Sequence, residues 1–96
     1  MSSPPPVTVY LVEDDESLGS AVADALRLEG MMVSLFRRAE AALDAIPPDF
    51  PGVVVSDVRL PGMDGLALFA RLQARDPDLP VIFTTGHGDV EMAVAA

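Results

Sequence analysis

Three groups of oxygen-bearing side chains stand where apolar runs stop. Glu13-Asp14-Asp15-Glu16 follows Val7–Val12, and Asp57 follows Val53–Ser56. Thr84 and Thr85, with the turn Gly86-His87-Gly88, follow Leu79–Phe83. Carboxylates packed together repel one another and raise each other's pKa unless a cation joins them. With no Cys and a single His, the donors are hard oxygens, which select Mg²⁺ or Mn²⁺ over zinc. Such an ion takes one or two carboxylates together with phosphate oxygens. An Asp at a strand tip can itself accept a phosphoryl group, and a Thr hydroxyl beside it can donate a hydrogen bond. Each piece also has a plain reading. The acidic run complements a helix N-terminus, Asp57 bonds turn backbone, the threonines are ordinary strand residues, and His87 is a loop residue between two glycines. Gly86-His87-Gly88 is too short for a dinucleotide signature, which needs a third Gly after the first strand. The chemical reading rests on convergence, because all three groups fall on one edge of one predicted sheet.

The elements that must bring them together alternate. Val7–Val12, Met31–Phe36, Val53–Ser56 and Leu79–Thr84 are short runs rich in β-branched or aromatic residues, hence strands. Leu18, Val22, Ala25 and Leu26 recur at helical spacing before Gly30; Ala39–Ile46 forms a second helix ended by Pro47-Pro48; Leu66, Leu68, Phe69 and Leu72 mark a third, ended near Asp76-Pro77. From Asp89, the residues Val90, Met92, Ala93 and Val94 start a fourth helical pattern without a stop signal. The order βαβαβαβα predicts an α/β fold, a doubly wound parallel sheet with helices on both faces. Ligands of such sheets bind beyond the carboxyl ends of the strands, so the three groups meet if strands one, three and four are neighbours. The fourth strand is apolar enough that its edge needs a cover. The expectation is that the chain is a fragment or that a partner segment lies there.

The chain has 96 residues, of which half are hydrophobic, and a formal charge of −9. That length suits one domain: a disordered Pro-rich leader over residues 1–6, then a domain over 7–96. The acidity argues against direct nucleic-acid binding and favours a divalent cation or a basic partner. The N-terminus lacks the basic and apolar regions of a secretory signal. No apolar run reaches the roughly 18–20 residues of a membrane helix. A cytoplasmic domain without a membrane anchor is expected.

Three stretches carry a resemblance: Leu11-Val12-Glu13-Asp14-Asp15, Ser56-Asp57-Val58-Arg59-Leu60-Pro61-Gly62-Met63-Asp64-Gly65, and Thr84-Thr85-Gly86-His87-Gly88-Asp89-Val90. In this order they resemble the receiver domain of bacterial two-component response regulators, nearest the NtrC-type C4-dicarboxylate transport regulators. The resemblance implies a flavodoxin-like (CheY-like) sheet of order 2-1-3-4. Asp57 then matches the phosphoacceptor that takes a phosphoryl group from a sensor histidine kinase. Asp14 matches the direct Mg²⁺ ligand, and Glu13 its partner, reaching the ion through water. Arg59 would supply a backbone carbonyl to the metal, Thr85 the switch hydroxyl, and Gly86 a close backbone approach; Asp15 falls one place beyond the acidic pair. The implied output is transcription control, with a homodimer or a segment-exchanged oligomer as the assembly and no turnover enzymology. The family continues into a fifth strand with a phosphate-pairing Lys and a fifth helix. Neither lies in residues 1–96, and all six basic residues are Arg. Two rivals remain. One is a pseudo-receiver that only binds proteins. The other is a haloacid dehalogenase-type phosphatase, which would need an acid where Arg59 stands.

Overall fold

The computed structural model describes residues 5–84 and 90–93. Strand β1 (Thr8–Val12) leads into helix α1 (Glu16–Leu28), strand β2 (Met32–Phe36), helix α2 (Ala39–Ala45), strand β3 (Val53–Asp57), helix α3 (Gly65–Arg75), strand β4 (Val81–Thr84) and strand β5 (Val90–Ala93). Short polar side chains set where the longer helices begin. Asp15 caps α1 by accepting the Leu18 N–H at 3.0 Å, and Asp64 caps α3 by accepting the Ala67 N–H at 2.8 Å. Helix α2 starts at Arg38 without a side-chain cap and stops before Pro47-Pro48.

The sheet runs in the order β2-β1-β3-β4-β5, with the first four strands parallel as expected. Because β1 pairs with β3 in parallel, its carboxyl end adjoins that of β3. The registers Val12↔Ser56 and Asp57↔Thr84 bring the ends of β1, β3 and β4 to one edge. Helix α1 packs on β1 and β2, while α2 and α3 pack together over the opposite face. The main core lies under α2 and α3, where Val12, Val54, Leu68, Leu72 and Val81 are almost wholly buried. Tyr10, half-buried, stacks at tilted angles on Phe36 and Phe50 with centroids 5.0 and 4.5 Å away. On the α1 face, Val9 and Leu11 are buried.

The fourth helix expected from Asp89 is not formed. Residues 90–93 are instead a fifth strand, antiparallel to β4, with Thr84↔Val90 and Val81↔Ala93 as the outer pairs. The expected bare edge of β4 is therefore covered by the chain's own residues. A row of unpaired backbone donors and acceptors beside an apolar strand is a strong template. Four residues joined to it by a short connection meet that template at little loop-closure cost, whereas a new helix must first meet its nucleation cost. Residues 1–4 of the Pro-rich leader and residues 94–96 lie outside the described residues.

Candidate functional site

Val12, fully buried, ends β1 and delivers Glu13 to the carboxyl edge of the sheet. The Glu13 N–H donates to the Phe36 carbonyl at 2.9 Å, which ties this turn to the end of β2. The Glu13 side chain turns inward: the residue is 5% exposed, and Oε2 accepts the Asp15 N–H at 3.1 Å. Asp14 is exposed and Asp57 half-buried. Carboxylate oxygens of Glu13, Asp14 and Asp57 all lie within 4.8 Å of one another. Two strand ends thus converge on one acidic cluster.

Burial raises the Glu13 pKa, and the neighbouring charges of Asp57 and Asp14 push it the same way, against the Asp15 N–H, which lowers it. Three hard oxygen donors without Cys or His suit a divalent cation of the magnesium class. A shared cation would offset the part of this shift that comes from the neighbouring carboxylates. The donor set therefore fits a metal.

Asp57 is held at its backbone and at its side chain. Its carbonyl accepts the buried Ser56 hydroxyl at 2.9 Å, and its Oδ1 accepts the Arg59 N–H at 3.2 Å. The next turn is fastened by Val58 N–H to Thr84 carbonyl, 3.3 Å, and Gly65 N–H to Val58 carbonyl, 3.0 Å. Gly65 admits no side chain, because a Cβ there would overlap the Asp57 carbonyl oxygen. Helix α3 therefore starts directly against the strand end that carries Asp57.

Of the residues expected at the site, Glu13, Asp14 and Asp57 come together, and Arg59 reaches Asp57 through its backbone. Asp15 caps α1 and is not in the cluster. Thr85, Gly86 and His87 lie outside the described residues. Two side chains that spacing did not single out, Arg38 and Glu40, stand against Gly62 in the turn that follows Asp57. Arg37 closes on Glu16 at 2.8 Å, an exposed pair joining the β2–α2 connection to the first turn of α1.

The family model for the response regulator receiver domain matches residues 9–96. The C4-dicarboxylate transport transcriptional regulatory protein DctD of Rhizobium meliloti is 52% identical over 96 residues, all of this chain and 20% of that protein. The structure of FixJ-N superposes with a TM-score of 0.77 at 36% identity, covering 93% of this chain and 69% of that one. The beryllofluoride-activated NtrC4 receiver domain dimer superposes at 0.75 with 33% identity, covering 85% of this chain and 68% of that one. The chain spans between about a fifth and under half the length of the curated relatives it matches first.

Proposed function

Because this chain belongs to the response regulator receiver domain family, we propose that Asp57 is its phosphoacceptor and takes a phosphoryl group from a phosphohistidine of a sensor histidine kinase. The observation that carries the reading is the cluster itself: the Asp57 carboxylate ends β3 with Glu13 and Asp14 oxygens within 4.8 Å. Receiver domains are signalling modules, and the acid that a strand-tip phosphatase would require two residues after its nucleophile is replaced here by Arg59.

The Arg59 N–H donates to Oδ1 of Asp57, and in this reading the other carboxylate oxygen, Oδ2, attacks. In the transfer, Oδ2 forms a bond to phosphorus as the phosphorus–nitrogen bond of the phosphohistidine breaks. The departing imidazole keeps the electron pair. The work of the protein is positioning and charge neutralisation. Glu13, Asp14, Asp57 and the backbone carbonyl of Arg59 would hold Mg²⁺, which when bound offsets the charge of carboxylates and incoming phosphate. Thr85 is the switch hydroxyl in this reading, supported by the resemblance of Thr84-Thr85-Gly86 to the family pattern. The DctD likeness supports a role in transcription regulation, and a cytoplasmic location belongs to the same reading. The NtrC4 dimer supports a homodimer, with a segment-exchanged oligomer as the variant; sedimentation would tell either from a monomer. No helix among the described residues is long and apolar enough to cross a membrane.

The test is an amide NMR titration with Mg²⁺ and then beryllofluoride, a phosphoryl mimic. Amides near Asp57 should shift with each addition, and Asp57→Asn should lose the beryllofluoride response. Identical responses from wild type and Asp57→Asn would overturn the assignment. No response to Mg²⁺ in wild type would favour a module that only binds proteins.

A further inference from the structure

The turn between Asp57 and α3 is gripped from outside by α2. Gly62 sits at φ +73°, a backbone conformation that L side chains rarely adopt. A methyl group there would stand 2.7 Å from Glu40 Oε2 and 2.8 Å from Arg38 Nη2. The two side chains are themselves joined, Arg38 Nη2 donating to Glu40 Oε2 at 3.4 Å. On either side of Gly62, Leu60 and Met63 tuck against the core. Gly62 thus faces an ion pair of another element closely enough that a side chain could not be added without moving it.

The Glu40 carboxyl lies below the ordinary glutamate range. Its own backbone N–H does most of this against partial desolvation, and the Met63 N–H and the Arg38 guanidinium add to it. Glu40 Oε1 is screened from water, although the side chain as a whole is 43% exposed.

We propose that Glu40, braced by Arg38, is a positioning residue for the phosphoacceptor site, a seat on α2 that fixes the Leu60–Met63 turn and through it Arg59. Four fastenings then hold the segment: Arg59 N–H on Asp57, Val58 N–H on the Thr84 carbonyl, Gly65 N–H on Val58, and Gly62 against the Glu40–Arg38 pair. The first three hold the two ends of the segment, to β3, β4 and the start of α3. The fourth meets its middle from another element, and α2 is anchored separately through Ala39, Ala42 and Ile46. Glu40 touches neither phosphate nor metal and acts through the backbone of Arg59. This role rests on the phosphoacceptor reading above.

The test uses ¹⁵N-labelled wild type, Glu40→Ala, Glu40→Gln and a destabilised control at the far end of α2, Ile46→Val. Each is titrated with Mg²⁺ alone, and its melting temperature is recorded. Glu40→Ala should shift the Gly62, Met63 and Arg59 amides and weaken Mg²⁺ binding about tenfold, the scale of losing a residue that orients a ligand. Glu40→Gln, which keeps an acceptor of the same size, should recover most of that loss. Ile46→Val should keep wild-type affinity despite its lower melting temperature. Wild-type Mg²⁺ affinity in Glu40→Ala, or an equal loss in Ile46→Val, would overturn the seat alone. A wild type that ignores Mg²⁺ would overturn the phosphoacceptor reading and this role with it.

Discussion

The Arg59 N–H donates to Oδ1 of Asp57 at 3.2 Å, while the Arg59 side chain stays exposed. The most basic-looking residue beside the acidic cluster thus contributes through its backbone. Its charge is not what places it there.

Arg59→Ala should therefore leave Mg²⁺ affinity and the beryllofluoride response near wild type. Arg59→Pro deletes the donor and leaves Oδ1 unpaired. For a half-exposed, charge-assisted bond the loss should be about 1 kcal/mol of stability, with a clearly weaker beryllofluoride response. Thermal melts and the NMR titration check both. If Arg59→Ala alone abolished the response, the guanidinium rather than the backbone would carry the role.

Burial holds the Glu13 pKa above its ordinary 4.5, with Asp57 and Asp14 adding to it. The folded protein therefore keeps a proton on Glu13 that the unfolded chain has already lost just above pH 4.5. By linkage this group's contribution to stability is full below 4.5 and is lost as pH rises through the folded value. In the metal-free protein, Glu13→Gln should abolish that fall and raise the melting temperature at neutral pH. Mg²⁺ favours the ionised cluster, so wild-type affinity should rise across the same window with proton release. Melting curves against pH, with and without Mg²⁺, test this; a metal-free melting point that is flat in wild type across the window would contradict it.

Where the chain's signals were local, the sequence was a good guide. The β-branched run Val53–Val55 with Asp57 at its tip and the acidic turn after Val12 are each readable within a few residues. The four parallel strands in their 2-1-3-4 order followed from alternation and from the family resemblance. The burial of Glu13 was not readable, because a Glu inside an acidic run looks exposed. It is buried because the Phe36 carbonyl holds its N–H and because Gly19, lacking a side chain, lets α1 come close. A Cβ at Gly19 would lie 3.4 Å from that of Glu13. The seat of Gly62 on Arg38 and Glu40 was equally invisible, since no spacing rule links those positions. Val90, Met92 and Ala93 fit a helical period as well as a strand, and only the open edge of β4 decides between them.

Gly65 is where the start of α3 meets the Asp57 carbonyl, and a Cβ there would overlap that oxygen. The neighbour is backbone, so it cannot rotate away. Gly65→Ala should cost about 2–3 kcal/mol, the scale of overpacking in a rigid site. Because the displaced atom belongs to Asp57, the beryllofluoride response should weaken as well. Denaturant melts give the first number and amide shifts the second. A fully stable Gly65→Ala protein with an unchanged response would mean that the strand end and the helix start are not rigidly joined.

Asp14 and Asp15 are adjacent acids with different work. An Asp14 oxygen lies within 4.8 Å of oxygens of Glu13 and Asp57, whereas Asp15 Oδ1 is occupied by the Leu18 N–H at 3.0 Å as the cap of α1. Removing a cap costs about 1 kcal/mol, which in a domain of this size lowers the melting temperature by roughly 4–8 °C. Asp15→Ala should show that loss while keeping Mg²⁺ affinity, because its backbone N–H still reaches Glu13 Oε2. Asp14→Ala should show the reverse pattern. It removes an exposed charge from a repelling cluster, so the metal-free protein should be no less stable. Its Mg²⁺ affinity should fall at least about tenfold, since in the proposed site Asp14 is a ligand itself and not merely a residue that orients one. Melting temperatures and Mg²⁺ titrations on the two variants separate the roles. Equal losses of metal binding would place both acids in one ligand set and remove the distinction between cap and ligand.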